Sequence, residues 1–431
     1  MTAAREDMAC QTCLSPLNTL GTPPTYVHPI QLATDGHEPA PVPVSQLDTV
    51  RRTCDFCGDP YPTWTLLGGE VAAVAIGEAG GLVQNFGDAW AACTNCQTYI
   101  DDGSNDKVVD RAVQALGLGN DPQAREHIEQ LHLAFLSARV PGRTLITTTA
   151  WPATAITARD LPKVRDRLAR FYRGPDDLPL TLAATDARQQ IAAGLDRSRL
   201  FWIDSDFTDL AECAAEELPD VTISRDLMPS TDGLLVWSRP VARRQITAAS
   251  WTTNRDGWQL VNYRTLGGGL DGKPLQRLRE HVGWLAPMNT LQVHEQHVLP
   301  SDHPAAALLA TWLLIGQQAA EVTTAEVDKA VRNTYARTNR PTPEVRIVRI
   351  RANNSTTPTS TRLAPGDSGR SRTNRFWVSG HWRNQPHGPG RALRRPVYIN
   401  PFLRGPDDAP ITLSTTVRML SSRKPKPEDR E

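Results

Sequence analysis

Cys54-Asp-Phe-Cys57 and Cys93-Thr-Asn-Cys96, 35 residues apart, decide how the first part of this chain folds. A C-x-x-C at a tight turn points two thiolates at one ion, and two such pairs complete a tetrahedral shell of four sulfurs. Cys54, Cys57, Cys93 and Cys96 are therefore read as ligands of one Zn2+. The competing readings are two unrelated thiol pairs or a redox C-x-x-C, but no βαβ pattern precedes either pair. Residues 1–100 are rich in Cys, Gly and Pro, with short strand-like pieces and no continuous hydrophobic pattern. A bound metal then has to supply what the core does not.

A third pair, Cys10-Gln-Thr-Cys13, is followed by His28 and His37 in the pattern C-x2-C-x14-H-x8-H. Neutral imidazole is a good zinc ligand, so these four residues form a second candidate zinc site. The eight-residue gap is wider than usual, and the alternative is a frayed N-terminus with two surface histidines. Either donor set leaves no open coordination position, so such metals are structural rather than catalytic. Six of the seven cysteines stand in these pairs, which reads as metal ligation in a reducing cytoplasm rather than as disulfides. Cys213, within Ala211-Glu-Cys-Ala-Ala215, reads as helix packing.

Outward from the cysteines, composition describes a globular chain of 431 residues, 39% hydrophobic and 22% charged. Lys+Arg and Asp+Glu are both 47, which excludes a uniformly basic nucleic-acid coat and a strongly acidic mimic. The balance conceals an uneven distribution. Residues 345–404 hold twelve Arg and one acid, Asp367, a local charge of about +11. With 41 Arg against 6 Lys and abundant Ala, the Arg excess itself points to a GC-rich genome more than to phosphate binding. The longest apolar run, Ala305–Gly316, is twelve residues and contains Thr311; a bilayer needs about 20, so it reads as a buried helix. No apolar stretch flanked by Lys or Arg marks a secretory signal, and the expected location is cytoplasmic, without a membrane partner.

The expected fold class is α+β: an N-terminal zinc-ribbon region, a central mixed α/β body and a small antiparallel C-terminal β module. The expected divisions are 1–103 (zinc-binding), 104–142 (helical connector), 143–351 (α+β), 352–373 (flexible linker), 374–420 (basic β-hairpin) and 421–431 (disordered tail). Helices are expected over Asn105–Leu116, Asp121–Ala138, Ala158–Tyr172, Ala184–Leu195 and Ala325–Arg337. In the second, Ile128, Leu131, Leu133 and Leu136 mark the apolar stripe. Strands are expected at Leu200–Ile203, Gly233–Trp237, Gln245–Trp251 and Trp258–Tyr263, without clear βαβ repetition. Three more follow the linker, at Arg375–Arg383, Arg395–Asn400 and Ile411–Met419.

The C-terminal hairpin mixes Arg with Trp, Tyr and Phe. Arg forks suit phosphates and aromatic rings suit unpaired bases, so RNA or a ribonucleoprotein is the expected partner. Arg375, Arg383, Arg391, Arg394 and Arg395 are the candidate phosphate contacts; His381, Trp377, Trp382 and Tyr398 are the residues that stack or pack beside them. The enzyme alternative is an endoribonuclease with His381 and His387 as general acid and base and Arg383 as charge stabiliser. The other alternative is a protein-binding adaptor. No Walker loop, dinucleotide-binding glycine motif, serine elbow or paired-carboxylate signature occurs, and His294, His297 and His303 read as surface residues.

Cys54-Asp-Phe-Cys57-Gly with Trp90-Ala-Ala-Cys93-Thr-Asn-Cys96 resembles a zinc-ribbon module of uncharacterised actinobacterial and actinophage proteins. Over about 225–405 the chain is similar, in block order, to type V anti-CRISPR proteins and their mobile-element relatives. The matching blocks are Leu227–Ser230 with Gly233–Trp237, Ala307–Leu314, Pro343–Val348, Val378-Ser-Gly-His-Trp-Arg383 and Arg395–Pro401. The resemblance implies a non-enzymatic inhibitor that acts during translation, recognising a nascent nuclease and lowering the amount of its message. It carries over only to Gly380, His381, Trp382 and Arg383. The expected function is a zinc-containing phage or mobile-element regulator that binds RNA or a ribonucleoprotein.

Overall fold

The computed structural model describes residues 8–20, 23–28, 36–47, 49–77, 80–149, 151–179, 185–242, 245–351, 375–387, 389–391, 393–404 and 411–412. The chain separates into two compact units. One holds the described residues within 1–154, 166–193 and 263–290; the other holds those within 155–165, 194–262 and 291–431. The expected linker 352–373 and tail 421–431 lie outside the described residues, as do 413–419 of the last expected strand.

Four short strands open the chain: β1 (Met8–Cys10), β2 (Asn18–Leu20), β3 (Thr25–Val27) and β4 (Pro41–Pro43). β1 pairs antiparallel with β4, and β2 with β3. A long hairpin follows, β5 (Pro62–Gly77) against β6 (Gly80–Cys93). The short pieces expected here are thus one ribbon. Gly68 and Gly69 mark a close approach: a Cβ on Gly68 would lie 2.7 Å from the Phe135 ring, and one on Gly69 2.8 Å from Ala138.

Helices α1 (Thr94–Asp101), α2 (Asn105–Ala115) and α3 (Pro122–Ser137) come next. Asp121 caps α3 by accepting from the N–H groups of Gln123 and Ala124, with Pro122 in the first turn. The buried residues of α3 are His132 and Phe135, while Leu133, expected in the stripe, is 45% exposed. Phe135 stacks on Trp90 at 4.5 Å between centroids, and Phe56 meets both rings. A two-residue strand, β7 (Thr144–Leu145), extends the hairpin at Trp64 and Thr65.

After α4 (Leu161–Arg173) and α5 (Thr185–Arg197), the chain runs through β8 (Arg199–Ile203), α6 (Ser205–Glu216), β9 (Val221–Thr222) and β10 (Gly233–Val241). It continues with β11 (Ile246–Asn254), β12 (Gly257–Thr265), α7 (Gly272–His281), β13 (Leu285–His294) and β14 (Val298–Leu299). Next are α8 (Ala306–Ile315), β15 (Ala320–Ala325), α9 (Lys329–Arg337) and β16 (Val345–Ile350). These make a seven-stranded sheet of order β13-β12-β11-β10-β8-β16-β15. Its strand β8 is parallel to both neighbours, β10 and β16. β8, α6 and β10 therefore form one βαβ unit, which is not repeated along the chain. The helix read around Cys213 is the C-terminal part of α6, whose residues Phe207, Leu210, Ala211 and Ala214 have the spacing of one helix face and are buried. β15 was missed because Glu321–Thr324, at the sheet edge, are exposed on both faces and carry no alternation.

α8 is the expected buried helix: eight consecutive residues, Ala307–Leu314, are buried. Its one polar member, Thr311, donates to the Ala307 carbonyl at 2.7 Å and accepts from Trp237 Nε1 at 3.2 Å. Trp312 meets Trp251 edge to face at 5.1 Å. Gly233 makes room for Trp251, whose ring lies 2.0 Å from where a Cβ would be. At the C-terminus, β17 (Arg375–Val378), β18 (His381–His387), β19 (Leu393–Ile399), β20 (Phe402–Arg404) and β21 (Ile411–Thr412) form two small sheets. β18 pairs antiparallel with β19; β17 lies between β20 and β21.

Gly233→Ala should force Trp251 out of place and lower stability by about 1–3 kcal/mol. In urea titration the unfolding midpoint should fall with the slope unchanged; an unshifted midpoint would contradict this packing.

Candidate metal centres and basic hairpin

Cys54–Cys57 form a turn in which Cys54 N–H donates to Asp59 O at 2.8 Å and Gly58 N–H donates to Cys54 O at 2.7 Å. Gly58 has φ +72°, with open space around it, so glycine here serves the backbone turn. Cys10–Cys13 repeat the pattern: Cys10 N–H donates to Ser15 O and Leu14 N–H to Cys10 O, both at 2.8 Å. Leu14 takes the left-handed position at φ +61°, without glycine.

The second half of the four-cysteine group differs from the two-turn arrangement expected. Cys93 ends β6 and is the N-cap of α1, and Cys96 lies in the first turn of that helix. Cys93 Sγ accepts from Cys96 N–H at 3.5 Å, and Cys54 Sγ accepts from Cys93 N–H at 3.3 Å. Helix N-termini favour negative charge, so this end suits thiolates. The β5–β6 hairpin closes the loop, placing Pro62 opposite Cys93 in register and returning the chain to the first turn.

The ligand atoms of Cys54, Cys57, Cys93 and Cys96 all lie within 4.8 Å of one another and all four residues are buried. The same holds for Cys10, Cys13, His28 and His37, of which only Cys10 is buried. In a tetrahedral zinc shell, ligand sulfurs are about 3.8 Å apart, and a sulfur and a nitrogen about 3.6 Å. Cys57 and Cys93 sulfurs are 3.9 Å apart; Cys10 Sγ to His37 Nε2 and Cys13 Sγ to His28 Nε2 are both 3.3 Å. Each group can hold a metal ion, and the donor atoms are compatible with zinc. The wide x8 gap is bridged because Gln11 N–H donates to Ala40 O at 2.8 Å, bringing the chain after His37 back onto the turn.

In the four-cysteine group two thiols, Cys57 and Cys93, are held down and two, Cys54 and Cys96, are pushed up. Burial pushes the Cys54 thiol up, whereas the Cys54 hydrogen bond first of all holds Cys57 and Cys93 down. At Cys10, burial is outweighed by the backbone N–H groups of Ala40 and Cys13 and by His37, which lower it to about 5. His132, packed on Phe56, is lowered to about 4 by burial. Two groups beside the four cysteines were missed from the sequence. Arg111 Nη2 lies 3.7 Å from Cys57 Sγ and 3.9 Å from Cys93 Sγ, and Asp59 is 3.6 Å from the same guanidinium. Asp59 follows Cys-x-x-Cys-Gly directly, but nothing in the spacing ties Arg111 to the cysteines. Among the described residues, His294, His297 and His303 do not form a metal-ligand group.

The basic hairpin is built around Tyr398, which is 7% exposed and paired in register with Trp382. The two rings meet edge to face at 5.2 Å, and Trp382 Nε1 donates to the Ala214 carbonyl of α6 at 2.7 Å. Gly380 is required by this contact, because a Cβ would lie 2.2 Å from the Tyr398 hydroxyl. Burial pushes that phenol up to about 12. Packing thus accounts for both aromatics, and of the residues expected to contact nucleic acid His381, Arg383, Arg391 and Arg394 are exposed. Arg395 is half-buried; a Cβ on Gly316 would lie 2.8 Å from its guanidinium. Cross-strand pairing puts His381, Arg383 and Arg395 on one face and Arg394 on the other, so the arginines do not form a single-faced cluster. Arg394 Nη1 donates to the Arg391 carbonyl at 3.0 Å.

Arg375 and Trp377 are in β17, but their side chains are outside the description. His381 and His387 are the two ends of β18, six residues and so roughly 20 Å apart. That separation is too great for general acid and base to share one phosphodiester. His381 Nδ1 instead donates to the Ser379 carbonyl at 3.1 Å.

Residues 201–405, from within β8 to just past β20, match the AcrVA2-like family, described as the anti-CRISPR type V subtype A2 family. The match covers just under half of the chain and leaves both cysteine groups outside it. It supports a regulatory or inhibitor protein of the phage type. No curated protein and no solved structure matches the chain. No helix among the described residues is long and apolar enough to cross a membrane.

Gly380→Ala should displace the Tyr398 hydroxyl and loosen the hairpin. Limited proteolysis should then cut within 381–399 faster than in the unaltered chain, and equal cleavage rates would contradict the contact.

Proposed function

We propose that this chain is a zinc-containing regulator of the anti-CRISPR type, with a C-terminal hairpin that binds RNA through exposed arginines. The observation that carries the reading is the way the hairpin divides its residues. Trp382 and Tyr398 are engaged in packing, while Arg383, Arg391 and Arg394 remain at the surface, inside the segment that matches the anti-CRISPR family. Guanidinium groups on two faces of a ribbon suit a flexible, single-stranded phosphate backbone better than one flat surface. The distance between His381 and His387 favours binding over cleavage.

Cys54, Cys57, Cys93 and Cys96 would hold one zinc ion, and Cys10, Cys13, His28 and His37 a second. With four protein ligands each, zinc would act as a cross-link and not as a Lewis acid. The cysteine region then serves as a stable support of its own rather than as a reaction centre.

Arg383→Gln combined with Arg391→Gln should weaken RNA binding and reduce its salt dependence. On single strands each lost phosphate contact lowers the log–log slope by about 0.7. Binding isotherms at several salt concentrations, read on gels that also report RNA length, make the test. Retarded RNA of unchanged length is expected, an unchanged slope removes the phosphate role, and shortened RNA returns the nuclease. Zinc should leave in two steps as pH falls from 7 to 4. The half-exposed group of Cys10, Cys13, His28 and His37 goes first, because it brings two thiolates rather than four and three of its four ligands are partly open to solvent. Zinc content after dialysis at stepped pH checks the order, and a single concerted loss would contradict it.

A further inference from the structure

Arg111 stands on α2, away in sequence from every cysteine, yet its guanidinium faces two of the four sulfurs. Those two belong to different halves of the group: Cys57 to the first turn and Cys93 to the helix cap. The same guanidinium reaches Asp59, whose backbone carbonyl accepts from Cys54 N–H. Four thiolates around a divalent ion carry a net charge of −2, and all four cysteines are buried. A buried charge needs a compensating partner. Among the described residues, the backbone N–H groups of Asp59, Cys93 and Cys96 donate to these sulfurs as neutral groups, and the Arg111 side chain donates with a positive charge. The Cys10, Cys13, His28 and His37 group differs in kind, since two thiolates already neutralise a divalent ion there.

We infer that Arg111 is the charge-compensating positioning residue of the four-cysteine centre, retaining its metal and damping the electron donation of Cys57 and Cys93. This rests on the reading of that centre as a zinc site. Outer partners of metal ligands typically contribute 10–100-fold to metal affinity.

The test uses the full-length chain and its Arg111→Leu, Arg111→Lys and Asp59→Asn variants. Zinc per chain is measured first in the unaltered protein; fewer than two ions, with the four cysteines open to alkylation, overturns the zinc reading itself. With zinc present, release to a coloured chelator is followed in time. Arg111→Leu should accelerate the slower phase by about tenfold or more and leave the faster phase unchanged. In the cobalt-substituted protein, Arg111→Leu should move the thiolate-to-cobalt charge-transfer band to lower energy, because removing a cation raises the sulfur lone pairs. Arg111→Lys, which keeps the charge, should restore most of both effects, and Asp59→Asn, which keeps Arg111, should not shift the band to lower energy. An unchanged slow phase and band in Arg111→Leu, with zinc bound, overturns the role. Equal defects in Arg111→Lys and Arg111→Leu do the same. Should the leucine variant not fold, the lysine variant alone decides: a slow phase near that of the unaltered chain supports the role, and a tenfold loss overturns it.

Discussion

Four sulfur atoms gathered at one point join three separate pieces of the first unit. The turn at Cys54–Cys57, the returning end of β6 and the start of α1 meet at Cys54, Cys57, Cys93 and Cys96. Phe56, between the first two ligands, carries that geometry into the surrounding packing: its ring meets Trp90 from β6 and Phe135 from α3. A residue inside the metal loop is thus also a core residue. Stability of the aromatic cluster and occupancy of the cysteine group are therefore coupled, in the sense that anything binding only the folded form stabilises it.

The second unit uses a different principle. Its centre is apolar helix against sheet, with α8 buried and Trp237, Trp251 and Trp312 filling the interior. The C-terminal hairpin is attached to α6 by one indole hydrogen bond and one buried tyrosine. The aromatics that make the hairpin look like a base-stacking surface are the groups that fasten it. What remains exposed is polar and includes Arg383, Arg391 and Arg394, and the similarity to an anti-CRISPR family covers this part rather than the cysteine region.

Much of this was legible in advance. Cysteine and histidine spacing pointed to both groups that the fold brings together, including His28 and His37, because side chains able to ligate a metal are chemically distinctive even when loops between them are long. Capping made α3 readable to within a residue at each end, and the twelve-residue apolar run gave α8. The failures have physical causes. The Gly-rich stretch before Cys93 read as short strand-like pieces rather than one long hairpin, because sequence does not distinguish a glycine that bends from one, such as Gly68, that admits a neighbouring ring. β15 is an edge strand with polar residues on both faces, so no alternation exists to detect. Arg111 was invisible as a neighbour of the cysteines because its position depends on how α2 folds back. Which aromatics of the hairpin are buried depended on α6, more than 160 residues earlier in the chain.

The strand order also sets a timetable for folding. All eight candidate metal ligands precede residue 97, so both groups are complete well before β8, the first strand of the seven-stranded sheet in chain order, at Arg199–Ile203. β8 must wait for its two neighbours, which end at Val241 and Ile350. Pairing β8 with β16 closes a loop of more than 140 residues, the kind of long-range contact that slows folding. On a ribosome the cysteine groups can therefore take up metal while the sheet still lacks β16, the strand between β8 and the edge strand β15. The hairpin that bears the exposed arginines emerges later still, after the helix that receives Trp382 has long been available.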